Sequence, residues 1–124
     1  MFKRKKCTEE ELYDIKEKFK LNLSWYFNED IYLIYKNNNP IALIEIDLNN
    51  VYMPEGYYMI YNFEVFYKSK GFGSEVIKYI LQCESKRLCL YANDLKSKKF
   101  WEKNGFIGSN DGTGSIMHFY HKIK

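Results

Sequence analysis

One stretch commits this chain to a particular kind of sheet. A run of aromatic and β-branched residues from about Tyr57 to Phe66 leads into Lys68-Ser69-Lys70-Gly71-Phe72-Gly73. Ser74 to Glu84 then carries Val76, Ile77, Ile80 and Leu81 at helical spacing, and Leu88 to Ala92 is a short apolar strand. Strand, loop, helix and strand make a crossover, which joins parallel strands and is right-handed. The two glycines allow a tight turn and close approach of a ligand to the backbone. The first amides of the helix are unpaired and partly positive, so the segment predicts an anion site with Lys68 and Lys70 at its rim.

What surrounds the glycines narrows their meaning. No Gly-Lys-Ser/Thr follows, which excludes a P-loop. No third glycine stands at Val76 and the motif is not at the first strand, which excludes the dinucleotide fingerprint. Lys70-Gly71-Phe72-Gly73 also matches half of an RNA-recognition signature, in a chain with 12 Tyr and 9 Phe. That signature continues as a strand with an aromatic residue at its fifth position. Here Ser74 and Glu75 follow and the pattern turns helical, so an RNA-binding α/β domain is the lesser alternative.

The rest of the chain supplies partners for this unit. Thr8 to Lys20 reads as a helix, with Thr8 and Glu11 as a capping box and Leu12, Ile15 and Phe19 as its apolar stripe. Ile31 to Lys36 and Ile41 to Leu48 flank Asn37-Asn38-Asn39-Pro40 and read as a hairpin. Leu95 to Asn104 is a third helix, capped by Asn93 or Asp94 and ended by Asn104-Gly105, with Phe106 packing back on its last turn. A last strand runs from Ser115 to Ile123, with one more short strand possible at Phe106 to Gly108. The expected architecture is α/β (α+β), a mixed central sheet with helices on both faces, in one domain over residues 1–124.

Charge and cysteines exclude several classes. Residues 67–124 carry eleven basic and five acidic side chains, so the half with the glycine loop holds the positive surplus that a polyanionic ligand favours. The three cysteines, Cys7, Cys83 and Cys89, are odd in number and widely spaced, against a disulfide framework or a zinc site, and no metal site is expected. Cys83 and Cys89 read as buried thiols. The only histidines are His118 and His121. With no membrane-length apolar run and no apolar stretch behind the basic start, the expected location is cytoplasmic.

Two segments, in order, resemble a known family. Phe63-Glu64-Val65 followed by Lys68-Ser69-Lys70-Gly71-Phe72-Gly73 resembles motif A of the GNAT acetyltransferases, whose loop reads Gln/Arg-x-x-Gly-x-Gly/Ala. Leu90-Tyr91-Ala92-Asn93, then Phe100-Trp101-Glu102-Lys103-Asn104-Gly105-Phe106, is similar to motif B, a strand ending in Asn before a helix reading Phe-Tyr-x-x-x-Gly-Phe. The resemblance covers residues 30–122. It implies the GNAT fold with a shortened N-terminal region, and an N-acetyltransferase in which an amine attacks acetyl-CoA directly in a ternary complex. The amine acceptor, small molecule or protein, stays open, as does monomer or homodimer; no nucleic acid or membrane partner is implied.

Carried over residue by residue, the resemblance implies a cofactor site. Backbone groups of Val65, Phe66 and Tyr67 would pair with the pantetheine arm, with Lys68 at the rim. The pyrophosphate would lie on the amides of Lys70, Gly71, Phe72, Gly73 and Ser74. Asn93 would bond the arm or position the wedge, and Phe100 would pack beneath it. The Val65 N–H would stabilise the oxyanion and Glu64 would serve as general base, with Glu45 as second candidate. Three departures stand out. Lys68 replaces the family's Gln/Arg, and the link from Val65 to Gly71 is about two residues shorter than the common form. Trp101 takes the place of the tyrosine that often protonates the leaving thiolate, a task left to solvent, Tyr67 or Tyr91. A non-catalytic acyl-CoA-binding module is therefore the alternative to an enzyme.

Overall fold

Local signals start most elements where the sequence places them. The computed structural model of the protein describes residues 1–48, 57–83, 87–92, 95–110 and 116–120. Along the chain these form β1 (Phe2–Lys6), α1 (Glu9–Lys18), β2 (Ile31–Lys36), β3 (Asn39–Asp47), β4 (Tyr57–Val65), α2 (Phe72–Cys83), β5 (Arg87–Tyr91), α3 (Leu95–Lys103), β6 (Ile107–Asn110) and β7 (Ile116–Tyr120). Thr8 caps α1: its hydroxyl accepts from the Glu11 N–H at 3.1 Å while Glu11 accepts from the Thr8 N–H at 2.9 Å. Thr8→Ala is expected to lower stability by about 1 kcal/mol, read as a shifted urea midpoint, and Thr8→Ser to restore most of it. At the far end of α3, Gly105 adopts φ 95°, the Phe106 N–H reaches the Trp101 carbonyl and the Gly105 N–H the Glu102 carbonyl. That double closure buries Phe106 against the helix.

Among the described residues seven strands form one mixed sheet in the order β1-β2-β3-β4-β5-β7-β6, in which only β4 and β5 pair in parallel. β7, the last strand, lies inside the sheet between β5 and β6, and the edges among the described strands are β1 and β6. β1 is a strand that the sequence does not announce. Phe2-Lys3-Arg4-Lys5-Lys6 lacks apolar alternation because it is an edge, where lysines discourage further pairing.

The two faces carry separate cores. α1 covers one face, where Leu12, Ile15 and Trp25 pack on Ile31, Leu33 and Leu43. α2 and α3 cover the other, where Val76, Ile77, Ile80, Trp101 and Phe106 meet Ile34, Ile44, Ile46 and Ile60. Cys89 is buried as expected, but Cys83 is exposed and Cys7 takes the second buried place. Burial pushes the Cys7 and Cys89 thiols up to about 11, away from the reactive thiolate. Among the described residues no helix is long and apolar enough to cross a membrane.

Candidate active site

The site begins with one extra residue. Glu45 pairs with Asn62 and Ile46 with Ile60, so Tyr61 is left over as a bulge in β4. A bulge bends its strand and ends regular pairing nearby. On the opposite edge of β4, parallel pairing with β5 stops at Met59↔Cys89, two residues before the bulged Tyr61. Beyond that point β4 continues to Val65 and β5 to Tyr91 without pairing to each other. The two parallel strands therefore open like a wedge.

Backbone groups face into the opening. The Phe66 N–H donates to the Ile41 carbonyl at 2.8 Å, which sets the ladder phase between β3 and β4. Antiparallel pairs alternate between bonded and non-bonded, so Val65 and Phe63, opposite Ala42 and Ile44, direct their N–H and C=O groups towards β5. The Val65 carbonyl accepts from Lys68 Nζ at 3.0 Å, at the mouth of the wedge. Phe63 is a site residue that the sequence reading missed. Phe66 is the reverse case: its N–H is spent on Ile41 and its ring stacks on Phe19 at 4.5 Å, on the α1 face. It is not placed to pair with a cofactor arm.

The wedge holds a cleft of about 330 Å³ that passes through the sheet. Its α2/α3 side is lined by Phe63, Gly73, Ser97, Phe100 and Trp101, and its α1 side by Asn22, Leu23, Asn62 and Glu64. Gly73 lets the start of α2 approach α3 closely, since a Cβ there would stand 3.1 Å from the Phe100 ring. Gly71, at φ 74°, turns the chain into α2 in a conformation side chains disfavour. The Glu75 N–H is the first in α2 to find a turn partner, the Gly71 carbonyl at 3.4 Å. Asn104 Nδ2 ties the Ser74 hydroxyl to the end of α3 at 3.3 Å. Lys70-Gly71-Phe72-Gly73 is thus a turn and a helix start, not the strand that an RNA-recognition signature requires.

Loop residues alternate between two cavities. Lys68 and Gly73 face the cleft, whereas Tyr67, Lys70 and Phe72 line a second cavity of about 380 Å³ against the β2–β3 turn. Tyr91, on β5, lines the cleft and is exposed; Tyr67 lies on the other side of the loop. Asn93 lies outside the described residues.

Glu64 is neither solvent-facing nor free. It is buried on the α1 face, and its carboxylate accepts from the Asn22 N–H, the Leu23 N–H at 3.1 Å and Trp25 Nε1 at 3.0 Å. Lys68 Nζ stands 3.6 Å away. Those donors come from the loop between α1 and β2, which the sequence reading left without a role. Glu45 accepts from Asn62 Nδ2 at 2.9 Å and Asn28 Nδ2 at 3.1 Å. Trp101 is buried, its ring 5.0 Å from Phe100, 5.1 Å from Phe106 and 5.9 Å from Phe63.

These features define an α/β protein whose mixed sheet opens between its parallel strands, with a glycine loop and helix start at the mouth. Solved acetyltransferases have a similar fold. The Bacillus subtilis N-acetyltransferase YlbP, in complex with coenzyme A, matches with a TM-score of 0.67 at 17% identity, over 98% of this chain and 97% of that one. Arabidopsis thaliana Naa50, in complex with the bisubstrate analogue CoA-Ac-MVNAL, matches with 0.62 at 17% identity, over 95% of each chain. The Escherichia coli ribosomal-protein-S18-alanine N-acetyltransferase matches with 0.64 at 14% identity, over 97% and 93%. No protein-family model and no curated protein matches the sequence. The chain has the GNAT acetyltransferase fold.

Proposed function

We propose that this protein is a single-domain GNAT N-acetyltransferase that binds acetyl-CoA in the wedge and transfers the acetyl group to an amine. The observation that carries the reading is the split between β4 and β5, with unpaired backbone on β4 and the glycine loop at its mouth. An extended amide-bearing arm completes such an edge as a missing strand would. The pantetheine arm pairs with Phe63 and Val65, and Lys68 yields the Val65 carbonyl to it. The pyrophosphate rests on the amides from Lys70 to Ser74, with Phe100 beneath the arm.

Arm length then locates the chemistry. From phosphate ester to sulfur the arm has about twelve bonds, the reach of about four residues of extended chain. Counted back along β4 from Val65, that reach ends at Tyr61, the bulge. The bulge thus stands where the thioester carbonyl would lie, which favours an oxyanion donor near it over the Val65 N–H. The amine approaches through the α1-side mouth, past Asn22 and Asn62. It attacks the thioester carbon, the tetrahedral intermediate collapses, and the C–S bond breaks to release the thiolate of CoA. Glu64 holds the wall of that mouth; the amine proton leaves to water at the open face. Trp101 serves as packing, and Tyr91 protonates the thiolate, a role its exposure in the cleft supports.

Calorimetric titration with acetyl-CoA tests the reading. Wild type is expected to bind in the micromolar range. Gly71→Glu sets a carboxylate on the phosphate site and a side chain at φ 74°, and is expected to abolish binding. A folded wild type that ignores acetyl-CoA would refute the proposal. Binding without transfer to any of a panel of amines would support the non-catalytic acyl-CoA module, the reading that Trp101 favours.

A further inference from the structure

Asn62 stands at the α1-side mouth of the cleft, next to the bulge, and its side chain is held from behind. The hold starts at a backbone amide. The Asp30 N–H donates to Asn28 Oδ1 at 2.8 Å, which fixes which way the Asn28 amide faces. Its Nδ2 then donates to the Tyr26 carbonyl at 3.2 Å and to Glu45 Oε2 at 3.1 Å. Glu45 lies directly across the ladder from Asn62, and its other oxygen, Oε1, accepts from Asn62 Nδ2 at 2.9 Å. A carboxylate only accepts, so Asn62 can offer it nothing but Nδ2. Asn62 Oδ1 is thereby the free end of the chain, and among the described residues it meets no donor.

We propose that Asn62 Oδ1 receives an N–H of the attacking amine, with Glu45 and Asn28 as positioning residues. This role rests on the acetyl-CoA reading above. One N–H of a primary amine donates to Oδ1, which aims the lone pair at the thioester carbon beside the bulge. The lone pair forms the N–C bond, the carbonyl becomes the oxyanion, and the nitrogen becomes positive. Its second hydrogen leaves to water as a proton, and the C–S bond breaks to release the thiolate. The first hydrogen stays on Oδ1 as the N–H of the product amide. A nucleophile with a single hydrogen, a secondary amine or an alcohol, cannot serve both ends, so the site selects primary amines. Glu45 polarises the Asn62 amide and sets a negative charge behind the nitrogen as that nitrogen turns positive.

Two ligands read this contact without a known acceptor. In both, the sulfur of CoA is joined through an acetyl bridge to an amine: n-butylamine in one, giving a secondary amide, and N-methylbutylamine in the other, giving a tertiary amide without the N–H. Calorimetry on wild type is expected to favour the secondary amide by about tenfold, the worth of one hydrogen bond. Glu45→Gln is expected to abolish that preference through a flip. Asn28 still presents Nδ2, so the new glutamine turns its oxygen there and its NH₂ to Asn62. Asn62 must then answer with Oδ1 and turn its own NH₂ to the cleft. Adding Asn62→Asp is expected to restore the preference, because the aspartate accepts that NH₂ with one oxygen and offers the other to the cleft. Asn62→Leu, which has no acceptor, is expected to lose the preference as well. Acetyl-CoA, whose arm follows the β4 backbone, is expected to bind every variant as it binds wild type, which certifies their fold. A preference that persists in Glu45→Gln or Asn62→Leu would come from the bulk of the methyl group and would overturn the assignment, as would a double variant that fails to regain it. Equal binding of the two amides by wild type would overturn it and leave the acetyl-CoA reading standing. Binding of neither amide nor acetyl-CoA would remove both.

Discussion

Replacing Glu64 with alanine is expected to lower stability by about 3 kcal/mol, a fall in melting temperature on the order of 10 °C. The reason lies in what the carboxylate accepts. Trp25 Nε1 is buried and would lose its partner outright, and the Asn22 and Leu23 amides would lose an ionised acceptor. Bonds to a charged group are the strong ones, and an orphaned buried donor keeps its full desolvation cost. Glu64→Gln should recover only part of the loss, because a carboxamide offers one oxygen and turns an NH₂ towards N–H donors. A general base would behave differently: the glutamine variant would keep its stability and lose turnover by about 10²–10⁴-fold. Urea unfolding of both variants, beside kcat measured against pH, separates the two roles. Unaltered stability with a collapsed rate would return Glu64 to the chemistry and take the loop anchor away.

The same residue marks the limit of what the sequence discloses. Its partners lie 39, 41 and 42 residues upstream, in a stretch without regular structure, so no local pattern points to them. The glycine loop was legible because its signal is local: a period of two gives way to a period near four across Gly71 and Gly73. Thr8 with Glu11 and Asn104-Gly105 were legible for the same reason, since caps are short-range devices. β1 was hidden because edge strands suppress the alternation by which buried strands are found. The glycine turn and helix start were foreseen, but not that Tyr67 and Phe72 look away from the cleft, since which side of a loop a residue faces depends on distant walls. Val65 and Phe66 were taken together as partners of the arm. Ladder phase, set by a bond to Ile41, divides them.

Tyr61 is the position where the largest functional effect is expected, and deletion is the change to make. Ile60 lies in the α2-side core and Asn62 meets Glu45 on the α1 side, so the faces on either side of the bulge already suit a regular strand. Removing Tyr61 makes Glu45↔Asn62 and Ile46↔Ile60 consecutive pairs without turning any core residue outward. Stability should hold or rise. The bend goes with the bulge, and the parallel register Met59↔Cys89 can then extend to Ile60 beside Leu90. A zipped wedge has no free edge for the arm. Three or four backbone bonds at about 1 kcal/mol each amount to about 3 kcal/mol, a loss of over a hundredfold in acetyl-CoA affinity. The oxyanion donor proposed near the bulge is displaced as well, so any remaining turnover should fall by a further 10²–10³-fold. Calorimetry and thermal unfolding of the deletion variant read the two effects separately. A stable variant that still binds acetyl-CoA as wild type does would mean that the opening is held by something other than the bulge. The remaining prop would then be the aromatic group of Phe63, Phe100 and Trp101, packed where the two strands part.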